Sequence, residues 1–134
     1  MTLPLKVLIV EDDNAMAQMC AKLIRRQGHS AVIAGSGHDA LRIVKAAQDV
    51  DAVLSDIQMP QMSGIELLGH LRQFDAALPV ILMTGYANVV SADDAKTLGA
   101  TTYLSKPFDA EALIASLERA ARRRTAPATI PEPV

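Results

Sequence analysis

The stretch VLSDIQMP (residues 53–60) ends an apolar run in a carboxylate, and a proline follows four residues later. A strand that is buried on both faces of a parallel sheet shows consecutive apolar residues. Proline cannot continue such a strand, because it lacks a backbone N–H. The stretch therefore predicts a buried strand that presents Asp56 at its carboxyl end, just before a turn at Pro60.

Apolar segments of this kind recur along the chain. They contain β-branched residues and lie at residues 5–10, 30–34, 52–54, 80–83 and 101–104. Each is followed by a longer stretch with the apolar spacing of a helix. The alternation predicts a single α/β domain, in which a doubly wound, five-stranded parallel sheet carries helices on both faces.

Two helix starts have the pattern of a capping box, Ser36 with Asp39 and Ser63 with Glu66. Gly28 predicts the end of the first helix and Gly99 the end of a fourth helix within residues 88–98. A fifth helix is expected from about 110 to 123. The first helix carries an apolar stripe at positions expected to face the core: Met16, Met19, Cys20, Leu23 and Ile24.

Composition limits the classes of function. The chain has 134 residues, a hydrophobic fraction of 50% and a formal net charge of −2, which gives no general reason to bind nucleic acid or an anionic membrane. A single cysteine excludes an internal disulfide, and no apolar run is long enough to cross a membrane. We expect a cytoplasmic protein whose residues 125–134 form a disordered, proline-rich tail.

Ligands of doubly wound domains bind at the carboxyl ends of the strands. Several carboxylates at one edge would repel each other unless a cation joined them, and hard oxygen ligands favour Mg²⁺. A threonine and a lysine beside them suit phosphoryl oxygens, with a carboxylate as the nucleophile. The residues at the predicted strand ends are Glu11, Asp12, Asp13, Asp56, Thr84, Ser105 and Lys106.

Each of these residues also has a simpler explanation. An aspartate after a strand is more often a turn or cap residue, and we assign Asp13 as the cap of the first helix. Thr84 alone would suit a turn, and Lys106 alone would be a solvated lysine. Only the joint arrangement indicates chemistry. The histidines at positions 29, 38 and 70 are expected at the surface, and Cys20 is expected to be a core thiol.

Four strings, VLIVEDD, SDIQMPQMSGIELL, VILMTGYA and TTYLSKPF, resemble in order and spacing the receiver domain of two-component response regulators. The resemblance covers residues 5–122 and implies the flavodoxin-like strand order 2-1-3-4-5. It also implies that a histidine kinase or phosphotransfer protein transfers a phosphoryl group to Asp56. The chain would then catalyse only its own phosphorylation and dephosphorylation.

The resemblance assigns further roles. Glu11, Asp12, Asp56 and the backbone carbonyl of Gln58 would surround Mg²⁺. Thr84 and Lys106 would hold the phosphoryl oxygens.

The resemblance also implies a cis bond before Pro107 and a switch in which Thr84 draws Tyr103 inward. The output face would consist of the fourth helix, the fifth strand and the fifth helix, and would contact an unknown protein target. Tyr86 is expected to cover part of the phosphorylated site.

Other interpretations remain open. The natural-looking Met1 and the untagged end favour a single-domain regulator, but a receiver excised from a hybrid kinase or transcription regulator fits the same strings. Residues 35–40 match the G-x-G-x-x-A dinucleotide fingerprint, which would make the chain a fragment of an enzyme. A phosphatase of the haloacid dehalogenase type would need an acid at position 58, where this chain has Gln58.

Overall fold

Five parallel strands form one sheet in the computed structural model, which describes residues 4–85, 99–106 and 108–125. The elements in chain order are β1 (Lys6–Val10), α1 (Asn14–Arg26), β2 (Ser30–Ala34), α2 (Gly37–Ala47), β3 (Ala52–Asp56), α3 (Gly64–Phe74), β4 (Val80–Thr84), β5 (Thr102–Ser105) and a C-terminal helix (Ala110–Thr125).

The strand order is β2-β1-β3-β4-β5, which confirms the predicted doubly wound α/β fold. In the register of the sheet, Val10 lies beside Ser55, Asp56 beside Met83 and Thr84 beside Ser105. Because all strands are parallel, the residues that follow or end β1, β3, β4 and β5 meet at one edge, called the carboxyl edge below.

β3 and β4 end at Asp56 and Thr84, as predicted, although their apolar runs stop at residues 54 and 83. Backbone hydrogen bonds hold these ends, since the Ile57 N–H donates to the Met83 carbonyl at 2.9 Å and the Lys106 N–H to the Thr84 carbonyl at 2.7 Å. Both polar side chains are therefore fixed by the sheet itself.

The core has two halves, one on each face of the sheet. Residues such as Leu8, Val53 and Leu82 pack with α2 and α3, while their neighbours in the strands pack with α1 and the C-terminal helix. The central strands are thus buried on both faces, as predicted. Cys20 is fully buried in the second half, which confirms it as a core thiol.

The helix starts agree in part with the capping patterns. Ser63 and Glu66 form the full capping box, with bonds of 3.1 and 3.0 Å. Ser36 accepts from the Asp39 N–H at 3.1 Å, but the Asp39 carboxylate instead accepts from Arg42 at 2.8 Å. Aspartate is one methylene shorter than the glutamate that normally closes this box, so the prediction for Ser36 was only half right.

Three further predictions concerned the burial of Met19, the position of the histidines and the cap of α1. Met19 is 43% exposed, so the apolar stripe of α1 is narrower than its spacing suggested. His29 is half-buried, and its Nδ1 accepts from the Leu5 N–H at 3.0 Å, so it is not a free surface residue; His38 and His70 are exposed. Asp13 caps α1 as predicted, accepting from Ala15 N–H at 3.0 Å.

Several predictions fall on residues outside the described ranges: the helix within 88–98, Tyr86, Pro107 and the tail beyond residue 125. Among the helices that the structure does describe, none is long and apolar enough to cross a membrane.

Candidate functional site

The carboxyl edge brings together the acidic and basic residues that the sequence indicated. Glu11 and Asp12 directly follow β1, Asp56 ends β3 and Lys106 directly follows β5. Glu11 and Asp56 are only 2% and 7% exposed, whereas Asp12 is exposed to solvent. Two of the three carboxylates have therefore lost most of their hydration.

The three carboxylates are close enough to act on one ion. One oxygen from each of Glu11, Asp12 and Asp56 lies within 4.8 Å of the others. At this separation, negative charges raise each other's free energy strongly, because little water remains to screen them. The arrangement is stable only if cations balance part of the charge.

Lys106 supplies one of these cations. Its Nζ lies 3.1 Å from Glu11 Oε1 and 3.5 Å from Asp56 Oδ1. Burial alone would lower the pKa of Lys106, but the hydrogen bond to Glu11 and the charge of Asp56 outweigh it, so the pKa is raised. The ammonium therefore stays charged. The sequence analysis placed Lys106 beside phosphoryl oxygens and missed its ion pair with Glu11.

The surroundings of Glu11 raise the pKa of its carboxyl group. Burial raises the pKa of its carboxyl group and the charge of Asp56 raises it further, against the lowering effect of Lys106 and of the Asp13 N–H, which donates to Glu11 Oε2 at 3.2 Å. The net direction is upward. Among the described residues of the site, three carboxylates and one ammonium leave a formal excess of negative charge, which favours a further cation.

The donor set fits magnesium. The cluster offers carboxylate oxygens, and among the described residues no histidine or cysteine takes part in it. Hard oxygen ligands with one exposed member, Asp12, suit an ion that keeps several of its waters. Gln58 lies in the loop after β3, two residues beyond Asp56.

Thr84 and Tyr103 lie on one face of the sheet. Tyr103 is the register partner of Leu82, two residues before Thr84, and side chains two residues apart in a strand share a face. Thr84 is fully buried. The Tyr103 ring packs against the core half formed with α2 and α3, and its hydroxyl is buried without a hydrogen-bond partner among the described residues.

Gly64 is a site residue that the sequence analysis missed. Its N–H donates to the Ile57 carbonyl at 2.8 Å, and a Cβ at this position would lie 2.9 Å from the Ile57 Cα and closer still to the Asp56 carbonyl oxygen. α3 therefore begins in direct contact with the backbone at the end of β3. The available signal was a glycine directly after the helix cap Ser63, where alanine would form a better helix.

Gly37, the second glycine of the dinucleotide fingerprint, has a role in packing. A Cβ on Gly37 would meet the Met62 sulfur at 2.6 Å, so this glycine makes room for a side chain of the loop that follows β3. Its presence is explained by packing, and the enzyme-fragment interpretation loses its main support.

The fold and this polar edge define a receiver-type domain. Residues 7–118 match the family model of the response regulator receiver domain. Among solved structures, the chain is similar to a receiver domain protein from Clostridium thermocellum, with a TM-score of 0.85 and 29% identity over 91% of this chain and 97% of that one. It is also similar to the Vibrio cholerae chemotaxis protein CheY4, with a TM-score of 0.79 and 30% identity over 88% of this chain and 99% of that one.

The chain belongs to the response regulator receiver family. Curated bacterial relatives include the transcriptional regulatory protein ZraR of Escherichia coli, 39% identical over 85% of this chain and 26% of the relative. The response regulator protein FleR of Pseudomonas aeruginosa is 42% identical over 81% of this chain and 23% of the relative. The chain thus spans about a quarter of the length of these relatives.

Proposed function

We propose that this chain is the phosphoacceptor of a two-component system and that Asp56 receives the phosphoryl group. The observation that carries the proposal is the buried Asp56 carboxylate, held next to Glu11 and 3.5 Å from the Lys106 ammonium. In the transfer, an Asp56 oxygen forms a bond to phosphorus while the bond from phosphorus to the donor breaks. We propose a histidine kinase or a histidine phosphotransfer protein as the donor.

The chain's own residues would position and stabilise the group. Lys106 already lies between Glu11 and Asp56, so oxygens of a phosphoryl group on Asp56 come within its reach. The buried Thr84 ends the neighbouring strand, where its hydroxyl can donate to the same oxygens. Mg²⁺ bound by Glu11, Asp12, Asp56 and the Gln58 carbonyl would neutralise charge on the phosphoryl oxygens.

We further propose that phosphorylation alters the face that carries Tyr103 and that this face contacts a downstream protein. The support is the shared face of Thr84 and Tyr103 and the buried Tyr103 hydroxyl, which lacks a partner among the described residues. A small free-energy difference between two ring positions would let a new hydrogen bond at Thr84 shift their populations. The chain would act on no other substrate.

Incubation with acetyl phosphate and Mg²⁺ tests the proposal. Intact-mass spectrometry should show one added phosphoryl group, which Asp56→Asn should abolish. Asp49→Asn is the matched control, because Asp49 is an exposed carboxylate outside the site. Equal labelling of wild-type and Asp56→Asn protein would contradict the assignment. Amide exchange with a beryllofluoride mimic should then change around Tyr103, and Thr84→Ala should suppress that change.

A further inference from the structure

The loop of residues 57–63, called the β3–α3 loop below, leads from β3 to α3 and contains Gln58. Its first residue is held by the sheet, since the Ile57 N–H donates to the Met83 carbonyl at 2.9 Å. Its end is held by α3, since the Gly64 N–H donates back to the Ile57 carbonyl at 2.8 Å. The loop is therefore anchored where it begins and where it ends. The position of Gln58 between these points depends on the side chains that the loop buries.

Met62 is the side chain that anchors the second half of this loop. Of residues 58–63, all of which the structure describes, only Met62 is buried, with 8% exposure. Its neighbour Gln61 has a φ of 70°, and the Met62 N–H donates to the Pro60 carbonyl at 2.8 Å, which closes a three-residue turn. A positive φ is unfavourable for a residue with a Cβ, so such a turn persists only where the surrounding structure holds it.

Met62 packs against the start of α2. A Cβ on Gly37 would lie 2.6 Å from the Met62 sulfur, 3.0 Å from its Cγ and 3.1 Å from its Cβ. Glycine at this position thus leaves room for most of the methionine side chain, not only for its flexible end. Ser36 caps α2 by accepting from the Asp39 N–H at 3.1 Å, which fixes the residue at which the helix begins. Met62 is therefore held between this helix start and the core.

Asp56 and Gln58 are held in different ways. Asp56 ends a strand of the sheet, and the buried Ser55 hydroxyl donates to its carbonyl at 2.9 Å. Gln58 is exposed and lies between the fixed start of the loop and the turn before Met62. A displacement of Met62 would therefore move the turn and Gln58, while the Asp56 carboxylate would stay within reach of Lys106.

We propose that Met62, packed against Gly37, is a positioning residue for the metal, because it sets the path of the β3–α3 loop and thereby the direction of the Gln58 carbonyl. The inference rests on the proposed function, in which this carbonyl is one ligand of Mg²⁺. Mg²⁺ tolerates little deviation from octahedral geometry, so a small displacement of one oxygen should weaken binding. Removing a group that orients a metal ligand typically lowers metal affinity by about 10- to 100-fold.

Mg²⁺ titrations followed by NMR of the Asp12 and Gln58 amides test the proposal on the full chain, without a phosphoryl donor. Gly37→Ala should displace Met62 and raise the Kd for Mg²⁺ about tenfold. Gly35→Ala is the matched control, because a Cβ added there has no atom within 4 Å. It should change the Kd by less than about twofold.

Substitutions of Met62 itself separate positioning from stability. Met62→Leu conserves volume and should keep the Kd of wild type, whereas Met62→Ala should raise it about tenfold. When Gly37→Ala is added to Met62→Ala, the clash is absent, so the Kd should not rise further. Ile24→Val removes a buried methyl group on the other face of the sheet and should lower the thermal midpoint without changing the Kd.

Three results would overturn the inference. The first is an equal Kd for wild type, Gly37→Ala and Met62→Ala, or a wild-type chain that binds no Mg²⁺. The second is a Kd that rises as much in Ile24→Val as in Met62→Ala, and the third is additive effects of the two alanines in the double variant. Labelling by acetyl phosphate tests the proposed function separately. A wild-type chain that binds Mg²⁺ without being labelled would contradict the phosphoacceptor role, and the Kd values would still decide the role of Met62.

Discussion

The polar groups at the two edges of the sheet differ in how completely they are paired. At the carboxyl edge, the carboxylates of Glu11, Asp12 and Asp56 are clustered, and among the described residues the ammonium of Lys106 pairs with two of them, Glu11 and Asp56. At the opposite edge, where the strands begin and which we call the amino edge, the polar groups have matched partners. The Lys6 N–H donates to Asp51 at 2.8 Å, the Leu5 N–H to His29 at 3.0 Å, and Arg72 to backbone carbonyls on two loops.

Because of this difference in pairing, the two edges contribute differently to the free energy of unfolding. Buried polar groups that are fully paired add to the free energy of unfolding, whereas like charges held together reduce it unless a ligand compensates them. The amino edge therefore stabilises the fold, and the carboxyl edge holds a binding site at the expense of stability. Removing a charge at the carboxyl edge and removing a paired polar group at the amino edge should consequently change the free energy of unfolding in opposite directions.

The largest expected effect concerns the backbone of the carboxyl edge. Gly64→Ala would place a Cβ against the Asp56 carbonyl and 2.9 Å from the Ile57 Cα, where only backbone atoms could move. We expect a loss of about 3 kcal/mol in the free energy of unfolding, measured by urea denaturation.

Gly69→Ala is the matched control, because Gly69 is an exposed residue of the same helix with no atom within 4 Å of an added Cβ. Its replacement should stabilise the protein by about 0.5 to 1 kcal/mol, since alanine is the better helix former. A Gly64→Ala variant as stable as wild type would show that the contact between α3 and β3 is adaptable.

The next largest effect is expected at the amino edge. Arg72 donates to the Gly99 carbonyl at 2.8 Å and to the Leu78 carbonyl at 2.5 Å, and so joins the loops that precede β5 and β4. Arg72→Ala would leave these carbonyls without their charged donor. We expect a loss of about 2 kcal/mol in the free energy of unfolding.

Arg42→Ala serves as the comparison for a surface arginine. Arg42 pairs with Asp39 at 2.8 Å, but its side chain is 74% exposed, so its removal should cost less than about 0.5 kcal/mol. If the two alanine variants lose equal stability, the amino edge does not depend on the bonds of Arg72.

The fold could be predicted because its signals are local. Apolar runs and helical spacing located all five strands, and the strand order followed from the family resemblance. The polar residues that follow the apolar runs located the strand ends at Asp56 and Thr84, and hydrogen bonds to neighbouring strands hold both ends. The exposure of Met19 depends on the distance between packed elements, which residue spacing does not report.

The candidate site was predictable in composition but not in detail. Strand ends identified Glu11, Asp12, Asp56 and Lys106, and the structure brings these residues together. The ion pair of Lys106 with Glu11 joins residues that are far apart in sequence, and the choice between two carboxylates depends on side-chain geometry. The close approach of Gly64 depends on the path of the loop after β3, for which the sequence offered only a glycine.

The smallest expected effect has the opposite sign. Asp56→Asn removes one of three clustered negative charges while its amide occupies nearly the same volume. Because Asp56 contributes to the raised pKa of Glu11, its neutralisation should relieve repulsion and leave Lys106 free to pair with Glu11 alone. We expect the free energy of unfolding to rise by about 1 kcal/mol in a metal chelator.

Adding Mg²⁺ gives a second test of the difference in stability between Asp56→Asn and wild type. A cation that binds the folded wild-type site stabilises it by mass action, whereas the asparagine variant has lost one carboxylate ligand and should gain less. The advantage of Asp56→Asn should therefore shrink as Mg²⁺ is added during urea denaturation. Asp49→Asn, at an exposed carboxylate paired with Lys6, should stay within about 0.5 kcal/mol of wild type under both conditions. If Asp56→Asn is less stable than wild type in chelator, Lys106 already compensates the clustered carboxylates. The carboxyl edge would then not lower the free energy of unfolding, and in this respect it would resemble the amino edge.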